Sequence, residues 1–149
     1  MAKVRITKQF DFEMAHALWN YDGACRNLHG HSYRLFVTVT GYPVNDRKNP
    51  KDGMLIDFGL LKEIVYKTIT KDLDHALMIS REVPEEYYSS LENLVKRIHV
   101  VDYQPTCENM VADFAVRISE KLPPGIELYS LRLHETATSY AEWFASDNQ

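Results

Sequence analysis

Apolar and polar residues alternate along the first segment of the chain. Val4, Ile6, Phe10, Phe12 and Met14 share one parity; Arg5, Thr7, Gln9, Asp11 and Glu13 share the other. Side chains two residues apart on a strand point to the same face, so this segment is expected to be a half-buried β-strand. Lys8 interrupts its apolar side once, where a bulge or an exposed edge is expected. A loop from Ala17 to about Leu28 follows, with the turn formers Asn20, Asp22 and Gly23. Alternation resumes from about His29 to Thr40, with Tyr33, Leu35, Val37 and Val39 on one face and Arg34, Thr38 and Thr40 mostly on the other. The stretch from Gly41 to Gly53 is polar and reads as a loop, and Met54-Leu55-Ile56 as a short strand.

Beyond it the period changes. Asp57 has the character of a helix N-cap. Leu61, Ile64, Val65 and Ile69 then fall on one helical stripe, predicting a helix that ends near Leu73. Between Ser80 and Asp102 the pattern supports a polar helix around Glu85 to Lys96 and a short strand near Ile98 to Val101. Thr106 caps a second long helix with an apolar stripe of Val111, Phe114, Ala115, Ile118 and Leu122, stopped by Pro123-Pro124-Gly125. Ile126 to Thr136 reads as a further strand and Ser139 to Phe144 as a last one. This order predicts an α+β fold of one domain, residues 1–149, in which an antiparallel β-sheet carries two helices packed on one face. The other sheet face is left to another subunit or to solvent.

The 149 residues are 45% hydrophobic and 26% charged, a globular balance, and a chain of this length can bury a core without staples. A metal ion in such a chain serves chemistry more readily than folding. The net charge of −4 gives no basic footprint for nucleic acid. Two cysteines, Cys25 and Cys107, are too few for a secreted disulfide scaffold. The first residues lack the apolar core of a signal peptide, and no run of about 18 apolar residues can span a membrane. The expectation is a cytoplasmic protein with no membrane and no nucleic-acid partner.

His29-Gly30-His31 is the sharpest local signal. On a strand both imidazoles face the side of Tyr33 and Leu35. His16 ends the first strand on its apolar parity. If the two strands pair as a long-looped hairpin, three imidazoles converge at one end of the sheet. Three neutral nitrogens at about 2.0–2.1 Å suit Zn2+ and leave a fourth position open, as in a catalytic site. His99 and His134 have no partners at ligand spacing and read as structural.

Cys25 lies in the loop leading to this cluster, either as a thiol activated by a nearby cation or as a small inert side chain. Cys107 has no second feature in its favour. Asp74 beside His75 can fix an imidazole tautomer or simply close a helix end. Glu135, on the side of Tyr129, Leu131 and Leu133, needs a partner: a guanidine-like ligand edge, an Arg, or solvent.

These residues form an ordered set: Phe12-x3-His16, Cys25-x3-His29-Gly30-His31, Gly53-x3-Asp57-Phe58, Leu73-Asp74-His75, Pro105-Thr106-x-Glu108-Asn109 and Glu135-Thr136. The set resembles the 6-pyruvoyltetrahydropterin synthase and QueD family, over about Phe10 to Tyr140. The three-residue gap between Cys25 and His29 resembles the bacterial 6-carboxytetrahydropterin synthase branch. The resemblance implies the tunnelling fold, in which trimers close a barrel and two trimers stack into a homohexamer. It implies a zinc-dependent lyase with His16, His29 and His31 on the metal. Cys25, Asp74 and His75 would be catalytic, Cys25 facing Asp74 and His75 of a neighbouring subunit. Glu135, Thr106 and Glu108 would bind substrate. The implied substrate is 7,8-dihydroneopterin triphosphate, and the products are 6-carboxy-5,6,7,8-tetrahydropterin, acetaldehyde and triphosphate, on the way to queuosine.

Two features depart from the family pattern. The Leu-Asp-His run continues as Ala76-Leu77-Met78-Ile79, and the stretch from Ser80 to Tyr103 is longer than in compact members. Competing readings are a triphosphate-eliminating 6-pyruvoyltetrahydropterin synthase, a generic zinc hydrolase, and a pterin-binding protein with structural zinc.

Overall fold

A computed structural model describes residues 1–149. Six strands form one sheet in the order β4-β3-β1-β2-β5-β6. Strands β1 (Val4–His16) and β2 (His29–Gly41) pair antiparallel along their whole length, from Val4 opposite Gly41 to His16 opposite His29. Strand β5 (Glu127–His134) continues the antiparallel ladder on β2, and β6 (Tyr140–Phe144) pairs antiparallel with β5. On the other side β3 (Ala76–Ser80) and β4 (Ile98–Val101) run parallel, β3 to β1 and β4 to β3. The α+β architecture is as expected; the sheet is mixed, with an antiparallel body and a parallel flank.

The Asp57 carboxylate accepts from the Gly59 amide and opens α1 (Phe58–Val65). The helix widens into a π-helical turn over Tyr66–Thr70 and finishes as α2 (Lys71–Leu73). The expected helix thus reaches Leu73, but through one widened turn. Helix α4 (Cys107–Ser119) is capped by the Thr106 hydroxyl, which accepts from the Asn109 amide. Both long helices lie over the sheet face that carries Phe12, Met14, Tyr33, Leu35, Leu131 and Leu133. Their inward residues Leu61, Val65, Ile69, Leu73, Met110, Phe114 and Ile118 complete a single core. The opposite sheet face carries Arg5, Thr7, Gln9, Asp11 and Glu13 into solvent.

Several expectations are corrected. Lys8 causes no bulge: it pairs opposite Val37, and its half-buried stem carries the ammonium 5.9 Å from the rings of both Phe10 and Phe58. Met54-Leu55-Ile56 is not a strand but a bent segment. Strand β3 lacks a period-two signal because all five of its residues are buried, leaving no polar side to alternate. The polar helix near Glu85 shrinks to α3 (Glu85–Tyr88) and a 3-10 turn over Ser89–Leu91. A bulge between Thr38 and Val39 puts Leu128, not Tyr129, into the core. Tyr129 instead receives the Arg5 guanidinium 3.9 Å above its ring.

Candidate metal centre and its surroundings

Strand register brings the three histidines together. His16 is directly opposite His29, and Met14 opposite His31, so the three rings share one face at one end of the β1–β2 ladder. One ligand nitrogen from each of His16, His29 and His31 falls within 4.8 Å of the others, so the three can hold a metal ion.

The hydrogen bonds around them fix which nitrogens face inward. His16 Nδ1 donates to the Pro105 carbonyl at 2.7 Å, and His29 Nδ1 donates to the Asn27 carbonyl at 2.6 Å. A carbonyl only accepts, so in the neutral rings both Nε2 atoms carry lone pairs. These two Nε2 atoms stand 3.0 Å apart. Two lone pairs at that separation repel unless a cation lies between them. The third nitrogen, His31 Nε2, is buried without a hydrogen-bond partner. Glu135 adds negative charge, with Oε1 3.6 Å from both His16 Nε2 and His31 Nε2. Burial holds the pKa of His16 and of His31 below the ordinary imidazole value, which keeps the rings neutral and ready to ligate. A cluster of acceptors with its outer nitrogens tied to carbonyls is the donor set a divalent cation requires.

Asp74 and His75 sit between α2 and β3. His75 adopts a left-handed backbone with φ 63°, and this turn makes the two adjacent side chains face each other. His75 Nδ1 lies 3.0 Å from Asp74 Oδ1, which also accepts from the Glu13 amide at 2.9 Å. The His75 amide in turn donates to the Glu13 carbonyl at 2.6 Å. The dyad is therefore clamped to β1 while the imidazole, 77% exposed, faces outward. A cavity of about 340 Å³ opens beside it, lined among others by Glu13, Gly30, His31, Ser32 and His75. The cavity links the dyad to the histidine cluster.

Cys25 is exposed in the 3-10 turn Ala24–Arg26, and no hydrogen bond within the chain joins its thiol to Asp74 or His75. Thr106 serves as the α4 cap, next to the Pro105 carbonyl that orients His16; Glu108 is exposed in the first helical turn. Cys107 is buried and donates to the Leu133 carbonyl at 3.1 Å, and burial raises its thiol pKa to about 11, so it is inert. The orienting carbonyls of Asn27 and Pro105, and Gln104, which bonds both main-chain groups of Trp19, were not legible in the sequence. Main-chain groups leave no residue signature, and Pro105 is 89 positions from His16. The Tyr33 hydroxyl, buried and unpaired, is a further polar atom in this region that parity alone assigned to the core.

The family model described as 6-pyruvoyl tetrahydropterin synthase matches residues 5–146. A Haemophilus influenzae protein named 6-carboxy-5,6,7,8-tetrahydropterin synthase is 36% identical over 141 residues, covering 93% of this chain and 97% of its own. A Synechocystis protein of the same name is 33% identical over 147 residues, covering 94% and 92%. Among solved structures, an uncharacterized protein from Wolinella succinogenes superposes with a TM-score of 0.80 at 22% identity, covering 97% of this chain and 99% of that one. The 6-pyruvoyl tetrahydropterin synthase of Caenorhabditis elegans superposes with a TM-score of 0.68 at 21% identity, covering 97% of each. These two likenesses concern the fold.

Proposed function

The chain belongs to the 6-pyruvoyl tetrahydropterin synthase family, and from that premise we propose that it is a zinc-dependent lyase converting 7,8-dihydroneopterin triphosphate to 6-carboxy-5,6,7,8-tetrahydropterin, acetaldehyde and triphosphate. The observation that carries this reading is the pair of Nε2 lone pairs of His16 and His29 facing each other at 3.0 Å, with the Asp74–His75 dyad on a cavity shared with His31. The names of the relatives favour the carboxy product over the pyruvoyl product.

His16, His29 and His31 would hold the zinc ion. When bound, zinc supplies Lewis acidity, which acidifies hydroxyl groups of the substrate side chain and stabilises enolate-like charge. The rest falls to the chain's own side chains. Asp74 accepts the Nδ1 proton of His75, fixing the tautomer and leaving Nε2 as the base. Cys25 moves a proton on the opposite face of the substrate, its exposed position suiting contribution from a neighbouring subunit. The Glu135 carboxylate receives the guanidine-like edge of the pterin through paired hydrogen bonds. Thr106 and Glu108 line the same pocket.

A homohexamer built from two trimers gives the uncovered sheet face a neighbour and lets the edge strands β4 and β6 pair between subunits. No helix is long and apolar enough to cross a membrane; the proposed site of action is the cytoplasm, within queuosine biosynthesis.

The test is mass spectrometry of the products formed from 7,8-dihydroneopterin triphosphate by zinc-replete and chelated protein. Acetaldehyde and carboxytetrahydropterin from the replete sample alone are expected. A pyruvoyl product would reassign the chain to the triphosphate-eliminating branch, and no turnover would end the lyase reading.

A further inference from the structure

The Glu135 side chain makes no hydrogen bond to any donor and no ion pair with Lys or Arg. Its only close charged or chargeable neighbours are the Nε2 atoms of His16 and His31, each 3.6 Å from Oε1. For a half-buried carboxylate this is an unfavourable setting in the absence of a cation, since it confronts two lone-pair nitrogens in a region of lowered dielectric. A metal ion among the nitrogens reverses the sign of every one of these contacts. The spacing agrees: in a tetrahedral site with bonds of about 2.1 Å, ligand atoms lie about 3.4 Å apart. The two Glu135 contacts and the His16–His29 contact, at 3.6, 3.6 and 3.0 Å, scatter around that value.

We propose that Glu135 is a fourth protein ligand of the metal while the pocket is free of substrate, and that it leaves the metal to receive the guanidine-like edge of the pterin. The second half rests on the pterin-binding reading above; the first half does not. The consequence is a coupling. One carboxylate cannot serve both partners, so recognition of the pterin ring opens the reactive corner of the metal site. The open corner then exists only when a ring is seated beside it. No bond to carbon is made or broken and no electron moves; one anionic ligand exchanges for another oxygen donor.

Crystallography of the zinc-loaded wild-type protein, with and without unsubstituted pterin, tests this without relying on a variant. The expected result is a Glu135 oxygen at about 2.0–2.2 Å from zinc in the pterin-free protein and displaced to the pterin in the bound form. In solution, the visible spectrum of the cobalt-loaded protein is expected to change in Glu135→Ala. Zinc affinity by chelator competition is expected to fall at least tenfold, with Glu135→Asp intermediate. Pterin titrated into cobalt-loaded wild type is expected to shift its spectrum. A Glu135 oxygen beyond bonding distance in pterin-free crystals, or unchanged cobalt spectra and zinc affinity in Glu135→Ala, overturns the ligand assignment. A wild-type spectrum unmoved by saturating pterin overturns the exchange. Failure of the lyase reading would appear instead as absent turnover with these metal results intact.

Discussion

The Asn27 and Pro105 carbonyls each tie down one ring, and the result is that His16 and His29 present unprotonated Nε2 atoms to each other across 3.0 Å. One carbonyl is local to the loop and the other comes from the far end of the chain, so the metal site is assembled only when α4 has docked. His16→Ala or His29→Ala is expected to reduce zinc affinity at least 100-fold, measured by chelator competition. The main core does not depend on the ion, so these variants and the chelated wild type are expected to unfold cooperatively in calorimetry, at a lower Tm than the zinc-loaded protein.

Metal-free protein is expected to lose stability as pH falls. Burial depresses the folded-state pKa of His16 and His31 below the unfolded imidazole value. Below the unfolded value the unfolded chain takes up protons that the folded chain does not. The stabilising contribution is complete above about pH 6.5 and is lost as pH descends through the depressed folded values. Thermal melts of chelated protein from pH 8 to pH 5 should show a Tm falling on the acid side, and His16→Gln should flatten that fall. A Tm that rises toward acid would contradict the assignment.

Cys25→Ala is expected to lower kcat by about 10²–10⁴ with zinc content and Tm unchanged, because the exposed thiol supports no packing. Retention of most activity would favour a hydrolase using bound hydroxide.

The left-handed backbone of His75 separates structure from chemistry. His75→Gly is expected to keep the fold and abolish turnover. His75→Val, which cannot easily adopt φ 63°, should be less stable than His75→Gly by about 1–2 kcal/mol in urea unfolding.

Thr106→Ala is expected to cost about 1 kcal/mol through loss of the α4 cap, with Thr106→Ser largely neutral. If Thr106 also meets substrate, KM should rise in the alanine variant beyond any change that Tm explains.

The three metal ligands were legible because parity on a strand is a rigid rule: His29, His31 and Tyr33 had to share a face, and the antiparallel register of β1 and β2 then put His16 opposite His29. The caps at Asp57 and Thr106 were legible for a similar reason, since a side-chain oxygen at a helix entrance leaves a local trace. Strand β3 was not, because burial on both faces erases alternation. Nor was the side assigned to Tyr129, since a bulge shifts parity without announcing itself in residue types. The pairing of Asp74 with His75 ran against the rule that neighbours diverge, and only a positive φ makes it possible.

The widened turn at Tyr66–Thr70 sets the angular phase of everything between it and β3. Deleting one residue there would restore an ordinary helix instead of breaking it. The segment downstream would then arrive rotated by about 100°, carrying Leu73 out of the core and Asp74 away from the Glu13 amide. The length of that turn is therefore a timing element for the dyad: a deletion that spares every side chain named above would still misalign the acid and the base.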